Sequence, residues 1–230
     1  MADPAQTAGA ASPVTPVATD RSHVHFWPLF LWLALQMLAL LAAGFRIPFS
    51  ARFPAPAEQL SIYEMLVVQT IASALLFPAL FPTFSTAVAV VLATPLMLLL
   101  SAALAGRDLD TPLLGLGAYS TLWVVGLGLW RLGLSTPRAR LYGVAGAALV
   151  VVGGAVLAYL RREFGAPTES FDWRRNGWLG PLVGGISLLE AGAATGTAWA
   201  FLGLSVLSGA AWAGRRWVRR QLARRVLHFS

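Results

Sequence analysis

The chain has 230 residues, of which 57% are hydrophobic and only 12% charged, against about 25% charged in an average soluble domain. A mean hydropathy of +0.67 and several apolar runs of about 20 residues argue against any separate soluble domain and predict an all-α polytopic membrane protein. Cysteine is absent, which excludes disulfides, thiol catalysis and Cys-ligated metals; the 17 basic residues are all arginine and the net charge is +7, a charge that in so apolar a chain suits anionic lipid headgroups and not nucleic acid.

Residues 1–25 are rich in Ala, Pro and Thr and read as a disordered cytoplasmic tail. His23 and His25 within it are too few and too poorly fixed to hold a metal. A six-helix transmembrane domain is expected over 26–214. Its spans run from Phe26 to Gly44, Leu60 to Phe81, Phe84 to Ala105, Leu113 to Leu132, Leu141 to Leu160 and, as one long apolar stretch, Trp178 to Ala213. The Phe81-Pro82-Thr83 turn makes the second and third spans an antiparallel hairpin. Phe26, Trp27, Trp130, Trp178, Trp212 and Trp217 sit at span ends, as interface anchors do.

Residues 215–230 form a basic amphipathic segment. Val218, Leu222 and Val226 recur every four residues between Arg215, Arg216, Arg219, Arg220, Arg224 and Arg225, a pattern for an interfacial helix on anionic headgroups. Those six arginines also set the expected orientation: both termini cytoplasmic, in a bacterial-type inner membrane.

Only Glu64 and Glu190 fall inside apolar spans, and an intramembrane acid is a candidate functional group. Each also ends an S-x-x-E sequence, Ser61-Ile-Tyr-Glu64 and Ser187-Leu-Leu-Glu190. That spacing is a capping box, in which the serine accepts from the amide three residues on and the glutamate reaches back. For Ser61 and Glu64 the capping role is the expectation. The second pair decides the shape of the last stretch. One helix over its 36 residues would measure about 54 Å, far more than a hydrocarbon core of about 30 Å. A break at Gly184-Gly185 would let the transmembrane helix restart at Ser187, leaving residues 178–186 as an interfacial or re-entrant piece. Unbroken, the helix would carry Glu190 deep into the bilayer.

On a continuous helix Gly185, Gly192, Gly196 and Gly203 fall on one face, with Gly192 and Gly196 as G-x-x-x-G. This predicts a close-packing seam within the chain and a central position for the last helix. Gln36 and Gln69 are expected to make interhelical hydrogen bonds. The outer-loop groups around Arg107-Asp108-Leu109-Asp110 and Glu169–Arg175 are expected to neutralise one another.

No nucleotide-binding, zinc-protease or serine-hydrolase motif is present, and no cofactor or metal site is expected. Three functions fit. The first is a non-catalytic, permease-type or membrane-complex subunit, partnered by the bilayer and by other membrane subunits or a cytoplasmic ATPase. The second is a self-contained small-solute or proton-coupled carrier using Glu190. The third is an intramembrane enzyme, disfavoured by the lack of a nucleophile motif.

Overall fold

The computed structural model describes residues 26–45, 57–164, 176–191 and 196–227, and all regular structure among them is helical. Seven helices follow in order: α1 (Phe26–Phe45), α2 (Ala57–Leu80), α3 (Phe84–Leu104), α4 (Thr111–Gly133), α5 (Pro137–Phe164), α6 (Pro181–Ala191) and α7 (Gly196–Leu227), with a short 3₁₀ turn at Gly177–Leu179 before α6. The tail with its histidine pair, residue Gly192 and the acidic and basic group at 169–175 lie outside the described residues.

Local chemistry sets the boundaries. Thr83 caps α3 by accepting from the Thr86 amide at 3.3 Å. Thr136 accepts from the Ala139 amide at 3.1 Å and so caps α5, with Pro137 in its first position. α3 ends in a Schellman motif: Gly106 takes φ 74°, its amide bonds the Ala103 carbonyl, and the Arg107 amide reaches the Ala102 carbonyl at 3.0 Å. Asp110 then starts α4, accepting from the Leu113 amide at 2.8 Å, and Arg107 pairs with Asp110 at 2.7 Å.

Consecutive helices from α1 to α4 alternate in direction. α1 lies antiparallel to α2, with Gln36 beside Gln69. α2 and α3 form the expected antiparallel hairpin, with the Ser101 hydroxyl donating to the Ser61 carbonyl at 3.1 Å. α4 and α7 run parallel over the largest interface in the bundle. Its ring contacts pair Tyr119 with Trp199 edge-on at 5.8 Å and Trp123 with Phe201 in a stack at 6.5 Å. At Gly126 a Cβ would touch Ser205 Oγ at 3.4 Å, and at Gly209 it would press on Leu129 Cβ at 3.0 Å, so glycine lets these two helices approach.

Five helices, α2 to α5 and α7, are long and apolar enough to cross a membrane. The protein is therefore a multi-pass membrane protein in contact with the lipid bilayer. α1 carries a shorter apolar stretch, Trp27–Ala42. α2 and α4 are the central helices, each with 50% of its span buried, whereas α7 has 17% buried. The expectation that the last helix is central is thus corrected: its buried face, Ala198, Leu202 and Gly209, meets α4 along its length and α6 with the 3₁₀ turn at its start.

The long last stretch is neither a single helix nor one broken at Gly184-Gly185. α6 runs unbroken through both glycines, Ser187 and Glu190. A Cβ on Gly177 would lie 2.9 Å from Ser187 Oγ and 3.0 Å from Thr197 Oγ1. Those two hydroxyls are therefore close together, whereas residues ten apart on one straight helix are separated by about 15 Å. α6 is a separate short helix folded back against the start of α7.

The α4 cap gives a direct test. Burial raises the Asp110 carboxyl, but bonds from Arg107 and the Leu113 amide outweigh it and hold the group below the usual carboxylate range. A lowered folded pKa means the cap contributes above the unfolded value of about 3.9 and is lost as pH falls through the folded one. Asp110→Ala should cost about 0.5–2 kcal/mol at neutral pH, and the gap to wild type should close below about pH 4, as read by unfolding in detergent.

Candidate functional site

The re-entrant piece is positioned by backbone contact. Gly180 turns the chain with φ 157°, and a Cβ there would lie 2.9 Å from the Val150 carbonyl oxygen of α5. Reciprocally, a Cβ on Gly154 of α5 would run into the Leu179 carbonyl and come within 3.2 Å of Gly180 Cα. Two bare backbones cross here. At the end of α5, Arg161 donates to Asn176 Oδ1 at 2.8 Å and stacks 5.5 Å from the Trp178 ring centroid. α6 then begins at Pro181, a favoured first position, and passes between α2 and α4. A Cβ on Gly185 would meet Leu66 Cδ2 at 2.7 Å and Leu116 Cδ1 at 3.2 Å, and Gly184 lies against the Tyr119 hydroxyl. Gly184-Gly185 is a packing surface and not a break.

The S-x-x-E pairs accordingly lose their capping role. Ser187 is in the middle of α6, fully buried, and its hydroxyl donates to the Gly184 carbonyl at 2.7 Å, the local back-bond of a mid-helix serine. Glu190 sits in the last turn, exposed, and accepts from the Tyr63 hydroxyl of α2. Ser61 is the fifth residue of α2, which starts at Ala57. Glu64 faces a cavity of about 430 Å³ between α1 and α2, shared with Leu35, Leu38, Tyr63 and Val67. The two acids therefore lie near the same end of the bundle, both beside Tyr63, a neighbourhood the sequence spacing did not show.

The expected glycine seam divides. Gly185 is packed as described, Gly192 lies outside the described residues, and among the described residues nothing comes within 4 Å of a Cβ on Gly196 or Gly203. These last two are on the side of α7 opposite its buried face. With Ala200, Ala210 and Gly214 they make a stripe of small residues, interrupted by Leu207, in which every member is exposed.

A second polar centre is buried at mid-height. Gln69 donates to Gln36 Oε1 at 2.9 Å and to the Thr94 carbonyl of α3 at 2.8 Å, as expected for interhelical bonds. Trp123 donates to Ser73 Oγ at 3.2 Å. Gln36 Nε2, Gln69 Oε1 and Trp32 Nε1 have no hydrogen-bond partner among the described residues. Two donors and one acceptor left open, on α1 residues four apart and the facing α2 glutamine, suit a bridging water.

The opposite end from Glu190 is basic. The last turn of α4, the first turn of α5 and the second half of α7 hold Arg131, Arg138, Arg140, Arg215, Arg216 and Arg219, and the sequence has no acid in residues 65–107, 111–162 or 191–230. Arg131 Nε donates to the Pro78 carbonyl at 2.7 Å, and Arg216 donates to the Leu132 carbonyl. Both serve helix C-terminal carbonyls, which favour cations. The side chains of Arg220, Arg224 and Arg225 lie outside the described residues. Among the described residues no group of three or more His, Cys, Asp or Glu could hold a metal ion.

No family model, no curated protein and no solved structure matches this chain.

The glutamine pair can be tested by substitution. Gln69→Leu should cost about 0.6–2 kcal/mol by leaving Gln36 unpaired in an apolar core. Replacing both Gln36 and Gln69 by Leu should recover part of that loss, since no orphaned amide remains. Thermal unfolding of the single and double variants in detergent reads both values.

Proposed function

We propose that this protein is a non-catalytic subunit of a membrane assembly, of permease type, whose partner helix docks on α7. The observation that carries this reading is the exposed stripe of small residues Gly196, Ala200, Gly203, Ala210 and Gly214. Small residues at such spacing let two transmembrane helices approach closely, and among the described residues nothing lies over Gly196, Gly203 or Gly214. The low burial of α7 supports it: a helix held on one face only has the other available. In this reading both termini are cytoplasmic, and the arginine-rich end faces the anionic leaflet.

Because the chain has no cysteine, single-cysteine variants report without background. Gly203→Cys in native membranes should cross-link to a neighbouring polypeptide, and Leu149→Cys on exposed α5 should not. Gly203→Leu should leave the monomer's unfolding temperature unchanged while abolishing co-purification of the partner. Equal cross-linking from positions 203 and 149, or a Gly203→Leu protein that keeps its partner, would defeat the proposal.

A proton-coupled carrier is the second reading, favoured by the Tyr63–Glu190 bond. It requires that proteoliposomes dissipate a pH gradient and that Glu190→Gln stops them. In the subunit reading the two proteins leak alike.

A further inference from the structure

α4 and α5 are joined by three residues, Leu134 to Thr136, yet scarcely touch along their length, because α5 packs instead on α2 and on the re-entrant segment. α5 also stands off from α7. The wedge left between them is a crevice of about 600 Å³, lined by Phe77, Trp123, Leu127, Trp130, Tyr142 and Phe201 among others. Its walls are apolar and aromatic. On the α5 side Gly146 has nothing within 4 Å of a Cβ, so the floor is open there.

The crevice reaches the basic end of the bundle. Phe77 adjoins Pro78, whose carbonyl takes the Arg131 bond, Trp130 adjoins Arg131, and Tyr142 follows Arg140 by two residues. Arg140 and Arg216 are the charges that act on Arg131. Arg131 spends Nε on Pro78, and Arg140 Nε is buried with no hydrogen-bond partner among the described residues. No acid is near in sequence to any of the three. A guanidinium has five donors in a fixed fork, and clustered guanidinium groups without carboxylates match a phosphate.

We propose that this crevice is a binding site for an anionic phospholipid of the bilayer, with one acyl chain between α4, α5 and α7 and the headgroup phosphate held by Arg131, Arg140 and Arg216. Charge complementarity selects the occupant: an uncharged chain suits the walls, and only an anion suits the end. The site is separate from the α7 stripe, which faces away from α4.

Native mass spectrometry of the purified full chain tests this, with phosphatidylglycerol, phosphatidylcholine and inorganic phosphate as probes. Phosphatidylglycerol should be retained roughly tenfold better than phosphatidylcholine, the scale of one charge-assisted hydrogen bond. Arg140→Gln should remove most of that preference. Gly146→Trp, which fills the open floor, should lower phosphatidylglycerol retention by a similar factor, while Leu149→Trp, on an exposed position outside the crevice, should not. The proposal is overturned if wild type retains the two lipids equally, if Gly146→Trp binds as wild type or no worse than Leu149→Trp, or if millimolar inorganic phosphate displaces the lipid and so marks free phosphate as the ligand.

Discussion

The crossing of two backbones at Gly154 and Gly180 is the constraint from which the rest of this fold follows. Non-helical backbone at membrane depth is tolerated only when buried in protein. The turn at Leu179–Gly180 meets that condition by lying directly on α5, where any side chain at Gly154 would collide with the Leu179 carbonyl. Once that turn is fixed, α6 has one direction open to it, between α2 and α4, and Gly184 and Gly185 supply the clearance. α5 is in turn held against α2 and the re-entrant segment, which keeps it off α4 and α7 and leaves the crevice. One backbone contact thus joins the inserted helix to the crevice between α4, α5 and α7.

Charge divides the molecule along the same axis. Glu64, Asp108, Asp110, Glu163 and Glu190 lie toward one end, where arginines partly neutralise them, as Arg107 does Asp110. Among the described residues the other end is basic alone. There the arginines act on helix C-terminal carbonyls, so they join the ends of α2, α4 and α7 as well as setting a potential. Removing one would loosen the bundle and weaken the attraction for an anionic surface together. Polar groups between the two ends are few; Gln36 pairs with Gln69 and Ser73 with Trp123 across helices, while Thr70, Thr94 and Thr121 bond carbonyls of their own helices, which limits the cost of polar groups in a low-dielectric interior.

Much of this was legible in the residues. α3 was expected over 84–105 and is found over Phe84–Leu104, because a threonine cap and a glycine stop delimit an apolar run. The bonding of Gln36 and Gln69 was legible too, since a lone amide in an apolar span has few other partners. The last stretch was misread for an identifiable reason. Placing Gly185, Gly196 and Gly203 on one face assumes a continuous helix, and the angular sum means nothing across a fold-back. The S-x-x-E spacing likewise occurs inside helices as well as at their starts, so Ser61 and Ser187 matched the pattern without the geometry. Pro181 was the better signal, being a first-position residue for a helix that begins there, and Gly153-Gly154 in α5 marked where another backbone comes close. The crevice had no signature at all, because it arises from which helices fail to pack.

The central claim is that residues 177–191 fold back beside the start of α7. Spin labels on Trp178→Cys and Ala200→Cys, both exposed positions in a chain without other cysteines, measure it directly by electron–electron distance in lipid. On one continuous helix these residues would be about 33 Å apart. The fold-back predicts less than half that separation, and a distance near the helical value would contradict the account.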